Sequence, residues 1–163
     1  MAWPPTDRPF PRRGSGASDA GRGDNPRPAG AATQASAAHD GGIATATIVV
    51  VDDERDIRFL LRFVLEKRGY RVCEAVHGAN ALDVIRAEQP ALVITDLMMP
   101  VMDGGELAGS LRDASETAHI PTILVSACPE RAPHDYFDRV MRKPFLPSEL
   151  VAVVEELLSG DGR

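Results

Sequence analysis

The run Thr47-Ile48-Val49-Val50-Val51 stops at the acidic pair Asp52-Asp53, and an amphipathic stripe follows at once. Runs of branched apolar residues without alternation suit strands buried on both faces, as in parallel sheets. The stripe is Ile57, Leu60, Leu61, Val64 and Leu65, spaced as one face of a helix, with Gly69 as the expected C-cap. The same cycle then repeats along the chain. Tyr70 to Ala75 reads as a strand before a helix around Ala79 to Ala87, and Ala91 to Thr95 runs into Asp96. A helix over about Gly105 to Arg112 precedes the strand Thr122 to Val125. An extended piece near Val140-Met141 precedes a helix from about Ser148 to Leu158, with Ser148 as its N-cap. Strands alternating with helices, joined by crossover-length connections, predict an α/β domain: a five-stranded parallel sheet with helices on both faces.

The chain has 163 residues, enough for one domain and a tail. Residues 1–43 are rich in Pro, Gly, Ala and Arg, with Trp3 and Phe10 almost the only large apolar side chains. Such a segment buries too little apolar surface to offset the entropy of ordering it, so it is expected to be a disordered extension before a domain at 44–163. It also lacks the apolar core of a signal peptide. No stretch approaches the ~20 apolar residues of a membrane helix. A net charge of -6 without a basic patch argues against direct binding to nucleic acid. Cys73 and Cys128, the two cysteines, have no metal-ligand spacing and make no disulfide framework. A cytoplasmic location is therefore expected.

In parallel sheets of this kind ligands gather beyond the carboxyl ends of the strands. The residues found there are Asp52 and Asp53, then Asp96, Ser126 and Lys143. Three carboxylates brought together repel one another unless a cation joins them, and an all-oxygen donor set selects a hard ion such as Mg²⁺. Asp52 and Asp53 alone would equally suit a helix cap. The hydroxyl and the ammonium at two further strand ends weigh against that simpler account.

Four segments, Val49-Val50-Val51-Asp52-Asp53-Glu54, Thr95-Asp96-Leu97-Met98-Met99-Pro100-Val101-Met102-Asp103-Gly104, Val125-Ser126-Ala127 and Arg142-Lys143-Pro144-Phe145, together resemble the receiver domain of two-component response regulators. The resemblance implies a doubly wound, flavodoxin-like sheet of strand order 2-1-3-4-5. It implies that Asp96 accepts a phosphoryl group from a histidine kinase or phosphotransfer protein. Mg²⁺ would be held by Asp53, Asp96 and the backbone carbonyl of Met98, with Asp52 acting through water. Lys143 would supply a second positive charge, Ser126 a hydroxyl that bonds the phosphoryl group, and the Lys143-Pro144 bond would be cis. The resemblance further implies a signalling domain that reports to a downstream protein partner and is not a turnover enzyme.

The chain departs from the family between Ser126 and Lys143. That stretch is short and holds Pro129 and Pro133, so its helix is expected to be abbreviated. Val140 stands where the family commonly has a swinging aromatic, and Tyr136 and Phe137 are out of register. Residues 127–138 are therefore expected to respond by ordering or disordering, beside a first helix whose outward Arg58 and Arg62 either meet an acidic partner or form a plain solvated face. Nothing resembling an output domain follows Leu158, which reads as a stand-alone receiver. The competing readings are a phosphorylation-independent interaction module with the same fold, and a phosphatase, which would want an acid where Met98 stands.

Overall fold

The computed structural model describes residues 45–160, so the expectation of a disordered extension at 1–43 lies outside the described residues. Strands β1 (Thr47–Val51), β2 (Arg71–Ala75), β3 (Leu92–Thr95), β4 (Thr122–Ser126) and β5 (Arg139–Arg142) form one parallel sheet in the order β2-β1-β3-β4-β5. Between and after them come helices α1 (Arg55–Glu66), α2 (Gly78–Glu88), α3 (Gly104–Asp113) and α4 (Pro147–Ser159). The inner strands β1, β3 and β4 are buried along almost their whole length, whereas β2 and β5 at the edges are only partly covered. Burial on both faces explains why the inner strands are uninterrupted apolar runs.

Side-chain alternation sorts each strand between two cores. Ile48, Val50, Leu92, Ile94, Ile123 and Val125 meet Leu61 and Leu65 of α1 and Leu150 and Val154 of α4. The opposite face sends Val49, Val51 and Val93 against Ala81 and Ile85 of α2 and Leu107 and Leu111 of α3. A third cluster joins Leu97, Ala108, Leu124, Ala132 and Phe137, with Val140 packed against it. That cluster covers the part of the sheet where the chain from β4 to β5 makes only two 3₁₀ turns, Pro129–Arg131 and His134–Tyr136. The expected abbreviated segment is thus present, and it is anchored by buried Pro129, Ala132 and Phe137. Burying a phenylalanine contributes roughly 2 kcal/mol toward holding that stretch against the core.

Two helix ends differ from expectation. The first residue of α4 is Pro147, whose fixed φ suits that position, and its N-cap is Leu146 in place of Ser148. The Leu146 N–H donates to the Glu149 carboxylate (2.9 Å), which replaces the hydroxyl cap that was expected. Helix α1 has Lys67 as its C-cap in place of Gly69. Gly69 lies beyond it at φ +87, a left-handed turn that lets Tyr70 N–H reach the Leu65 carbonyl. Among the described residues no helix is long and apolar enough to cross a membrane.

Candidate functional site

Parallel register brings the strand ends to one level. Val51 lies beside Thr95, Thr95 beside Leu124, and Ser126 beside Arg142, so each following residue emerges on the same rim. Backbone bonds then carry the alignment one residue further: Asp96 N–H donates to Val51 O (2.9 Å) and Lys143 N–H to Ser126 O (2.9 Å). β1 has β2 on one side and β3 on the other, and the crossovers on those sides lie on opposite faces, which opens a crevice at this rim.

Lys143 organises the charges. Its Nζ stands 2.8 Å from Asp52 Oδ2 and 3.0 Å from Asp96 Oδ1. The other oxygen of each carboxylate accepts a main-chain N–H: Glu54 N donates to Asp52 Oδ1 (2.9 Å) and Met98 N to Asp96 Oδ2 (2.7 Å). Burial and the neighbouring Asp96 charge push the Asp52 carboxyl above its ordinary value, against the opposing pull of Lys143 and the Glu54 N–H. Burial alone would lower Lys143, but its two carboxylate partners outweigh that and raise it, keeping the ammonium charged. The Lys143-Pro144 bond is cis.

Of the six residues read from the sequence, Asp53, Asp96, Met98, Ser126 and Lys143 line one open pocket of about 310 Å³. Asp52, only 2% exposed, lies beneath it on Lys143. Ser126 is turned to its own loop, where Oγ accepts the Cys128 N–H at 3.2 Å. Among the described residues no three His, Cys, Asp or Glu side chains form a closed metal cage. That arrangement still fits Mg²⁺, which is held by one or two carboxylates, waters and substrate oxygens more often than by a full protein cage. Asp53 and Asp96 share the pocket as oxygen donors, and one ammonium among three carboxylates leaves a negative balance for a cation to meet.

The loop after Asp96 is tightly closed. Gly104 N–H returns to Leu97 O (2.9 Å), Gly78 N–H reaches Met102 O (3.0 Å), and Asp103 and Glu106 form a reciprocal capping box at the start of α3. Val101, at the tip, is 81% exposed and adopts φ +70, a conformation costly for a β-branched residue.

Arg58 corrects the expectation of an outward side chain. It is 11% exposed, its Nη1 donates to Asp52 O (2.6 Å) and Asp53 O (3.1 Å), and its Nε pairs with Glu74 at 3.2 Å. It therefore splints the turn that presents both aspartates. A signal for this was available: arginine in the first turn of a helix opposes the macrodipole and asks for another reason to be there. Arg62 is half-exposed and bonds Glu74 at 2.8 Å, so neither arginine is a free basic face.

Residues 48–155 match the family described as Response regulator receiver domain. Over 119 residues the chain is 36% identical to an uncharacterised 14.6 kDa protein of Leptolyngbya boryana, covering 70% of this chain and 91% of that protein. Over 121 residues it is 36% identical to the alkaline phosphatase synthesis transcriptional regulatory protein PhoP of Bacillus subtilis, covering 68% of this chain but 48% of PhoP. The chain thus spans about half the length of such transcriptional regulators. Among solved structures, the response regulator TrrA of Thermotoga maritima, in complex with Mg(2+)-BeF, superposes with a TM-score of 0.64 at 33% identity, covering 69% of this chain and 99% of TrrA. With its strand order, its rim of acidic residues and this match over most of its length, the chain belongs to the response regulator receiver domain family of two-component systems.

Proposed function

We propose that this chain is a signalling domain that takes a phosphoryl group onto Asp96 from a cytoplasmic histidine kinase or phosphotransfer protein and passes the state to a protein partner. The observation that supports this best is the Lys143 ammonium held between Asp52 and Asp96 at the edge of an open pocket. A carboxylate oxygen of Asp96 attacks phosphorus, the bond to the donor's imidazole nitrogen breaks, and an acyl phosphate forms. Lys143 offsets the charge added there, and the Met98 N–H keeps the Asp96 carboxylate oriented. Mg²⁺, when bound, neutralises the equatorial phosphoryl oxygens and aligns the reactants; Asp53, Asp96 and the Met98 carbonyl would hold it, with Asp52 acting through water. Ser126 supplies a hydroxyl that can exchange its bond from Cys128 for one to the phosphoryl group.

Signal output takes a route of this chain's own. Val140 lacks the ring and the rotamer freedom of a swinging aromatic, so the face formed by residues 127–138 responds instead. Incubation with acetyl phosphate and Mg²⁺ is expected to add one hydroxylamine-labile phosphoryl group. Asp96→Asn and EDTA should each abolish it; equal labelling of the Asn variant would show that another residue is the acceptor.

A further inference from the structure

A second pocket, about 520 Å³, adjoins the first and shares Asp53 and Met98 with it; Arg131 and Pro133 also line it. Lys143 is already committed to two carboxylates, and Arg58 to two carbonyls and Glu74. Arg131 is different. Its Nη1 lies 3.9 Å from the thioether sulfur of Met98, and among the described residues no carboxylate stands within ion-pair distance of it. A thioether is a weak acceptor, so this contact costs little to give up.

The backbone beneath Arg131 is fixed while the guanidinium is not. The turn Pro129–Arg131 has Pro129 and the following Ala132 buried. Arg142 clamps it, donating from Nη1 to Ala127 O (3.0 Å) and from Nη2 to Glu130 Oε2 (2.8 Å). That clamp also occupies the carboxylate closest in sequence, which would otherwise compete for Arg131. The short connection after Ser126 thus sets Arg131 on a firm turn that lines the second pocket, next to the one that holds Asp96.

We propose that Arg131 adds a further side-chain cation to the phosphorylation site, beside Lys143: when a phosphoryl group sits on Asp96, the guanidinium leaves Met98 and pairs with a phosphoryl oxygen. This rests on the assignment of Asp96 as acceptor. The energetic reason is direct. Phosphorylation replaces one carboxylate charge with close to two, and a planar fork of donors matches phosphoryl oxygens better than any other side chain. The exchange of partners links the anchored turn at 129–131 to the phosphoryl group through the guanidinium alone, which gives the shortened segment a means of sensing it without an aromatic switch.

The test uses the full chain with Mg²⁺ and beryllofluoride, read by the methyl NMR signal of Met98, which Met98→Leu identifies. Arg131→Gln is expected to weaken beryllofluoride binding about tenfold, the effect of one partly screened charge-assisted bond. Arg131→Lys should recover part of the loss, and Arg86→Gln, on α2, should bind as the parent does. Raising salt from about 0.05 M to about 0.5 M should narrow the gap between the parent and Arg131→Gln, because an exposed charge is screened. Equal affinity of Arg131→Gln and the parent, with labelling of Asp96 intact, would overturn the role of Arg131 alone. A parent that neither binds beryllofluoride nor becomes labelled would overturn the acceptor assignment beneath it.

Discussion

A single methyl group at Gly104 is expected to disable the domain. Gly104 opens α3 directly after the loop that follows Asp96, and a Cβ built there would lie 2.0 Å from the Asp96 carbonyl oxygen, 3.0 Å from its carbon and 3.1 Å from Leu97 Cα. Carbon–oxygen contacts normally begin near about 3.3 Å, so roughly 1.3 Å of separation must be created. All three obstructing atoms are main chain, which no rotamer change can move. Relief therefore requires α3 to withdraw, breaking the Gly104 N–H bond to Leu97 O and disturbing the Asp103 capping box. An orphaned buried carbonyl costs about 1–3 kcal/mol and a lost cap about 1 kcal/mol, so Gly104→Ala should destabilise by about 2–4 kcal/mol. At about 4 °C per kcal/mol for a domain of this size, the melting temperature falls by roughly 8–16 °C. Phosphorylation by acetyl phosphate should also slow at temperatures where the variant is folded, because the displaced backbone is that of Asp96, the proposed acceptor. The control is Gly109→Ala in the same helix, whose Cβ would meet the Tyr136 ring at 3.3 Å. That exposed ring can yield, and the helix gains up to about 0.8–1.0 kcal/mol of propensity, so this variant should melt at or up to about 4 °C above the parent. A Gly104→Ala protein that melts within about 2 °C of the parent and labels at its rate would refute the reasoning.

Other outcomes follow from the same geometry. Asp52→Asn, in the absence of divalent cations, should raise the melting temperature at pH 7, because burial lifts the Asp52 carboxyl and its charged form destabilises the fold. The sign is checked by pH: the gain should vanish below the unfolded value of 3.8, where the parent carboxyl is protonated, so a gain that persists in acid is inconsistent with this cause. Val101→Asn should stabilise by about 1 kcal/mol in a denaturant titration, since asparagine tolerates φ +70 and the valine side chain is exposed; a loss would show that Val101 is not strained. Hydrogen exchange with and without Mg²⁺ and beryllofluoride should show altered protection between Ala127 and Asp138. Changes confined to the Asp96 loop would sink the idea that this segment carries the output.

The sheet was legible in advance because its inner strands are buried on both faces, and only uninterrupted runs such as Ile48 to Val51 satisfy that burial. The rim was legible because the chemistry of parallel sheets collects one residue past each strand, where Asp52, Asp96 and Lys143 stand. For Arg58 only the unfavourable place near the start of α1 was legible, and its partners were not, because helical spacing says nothing of the carbonyls of Asp52 and Asp53 turning back toward it. The cap of α4 was misplaced because Ser148 has the right side chain, while the backbone preference of Pro147 and the reach of Glu149 decide the start. The anchoring of residues 127–138 depends on Phe137 meeting Leu97, Ala108 and Leu124, contacts between distant parts of the chain that local pattern does not encode.

The closed loop from Leu97 to Gly104 divides its labour residue by residue. Leu97, Met99 and Gly104 are buried and tie the ring to the two helices and the sheet, whereas Met98, Pro100 and Val101 face outward. Heritable variation can therefore act on the outward set, altering what the ring offers to a passing protein, while the inward set keeps Asp96 seated. A lineage that duplicates this domain would diversify its pairings most cheaply at those outward positions, and copies diverging there would insulate parallel signalling routes from one another before any change reached the core.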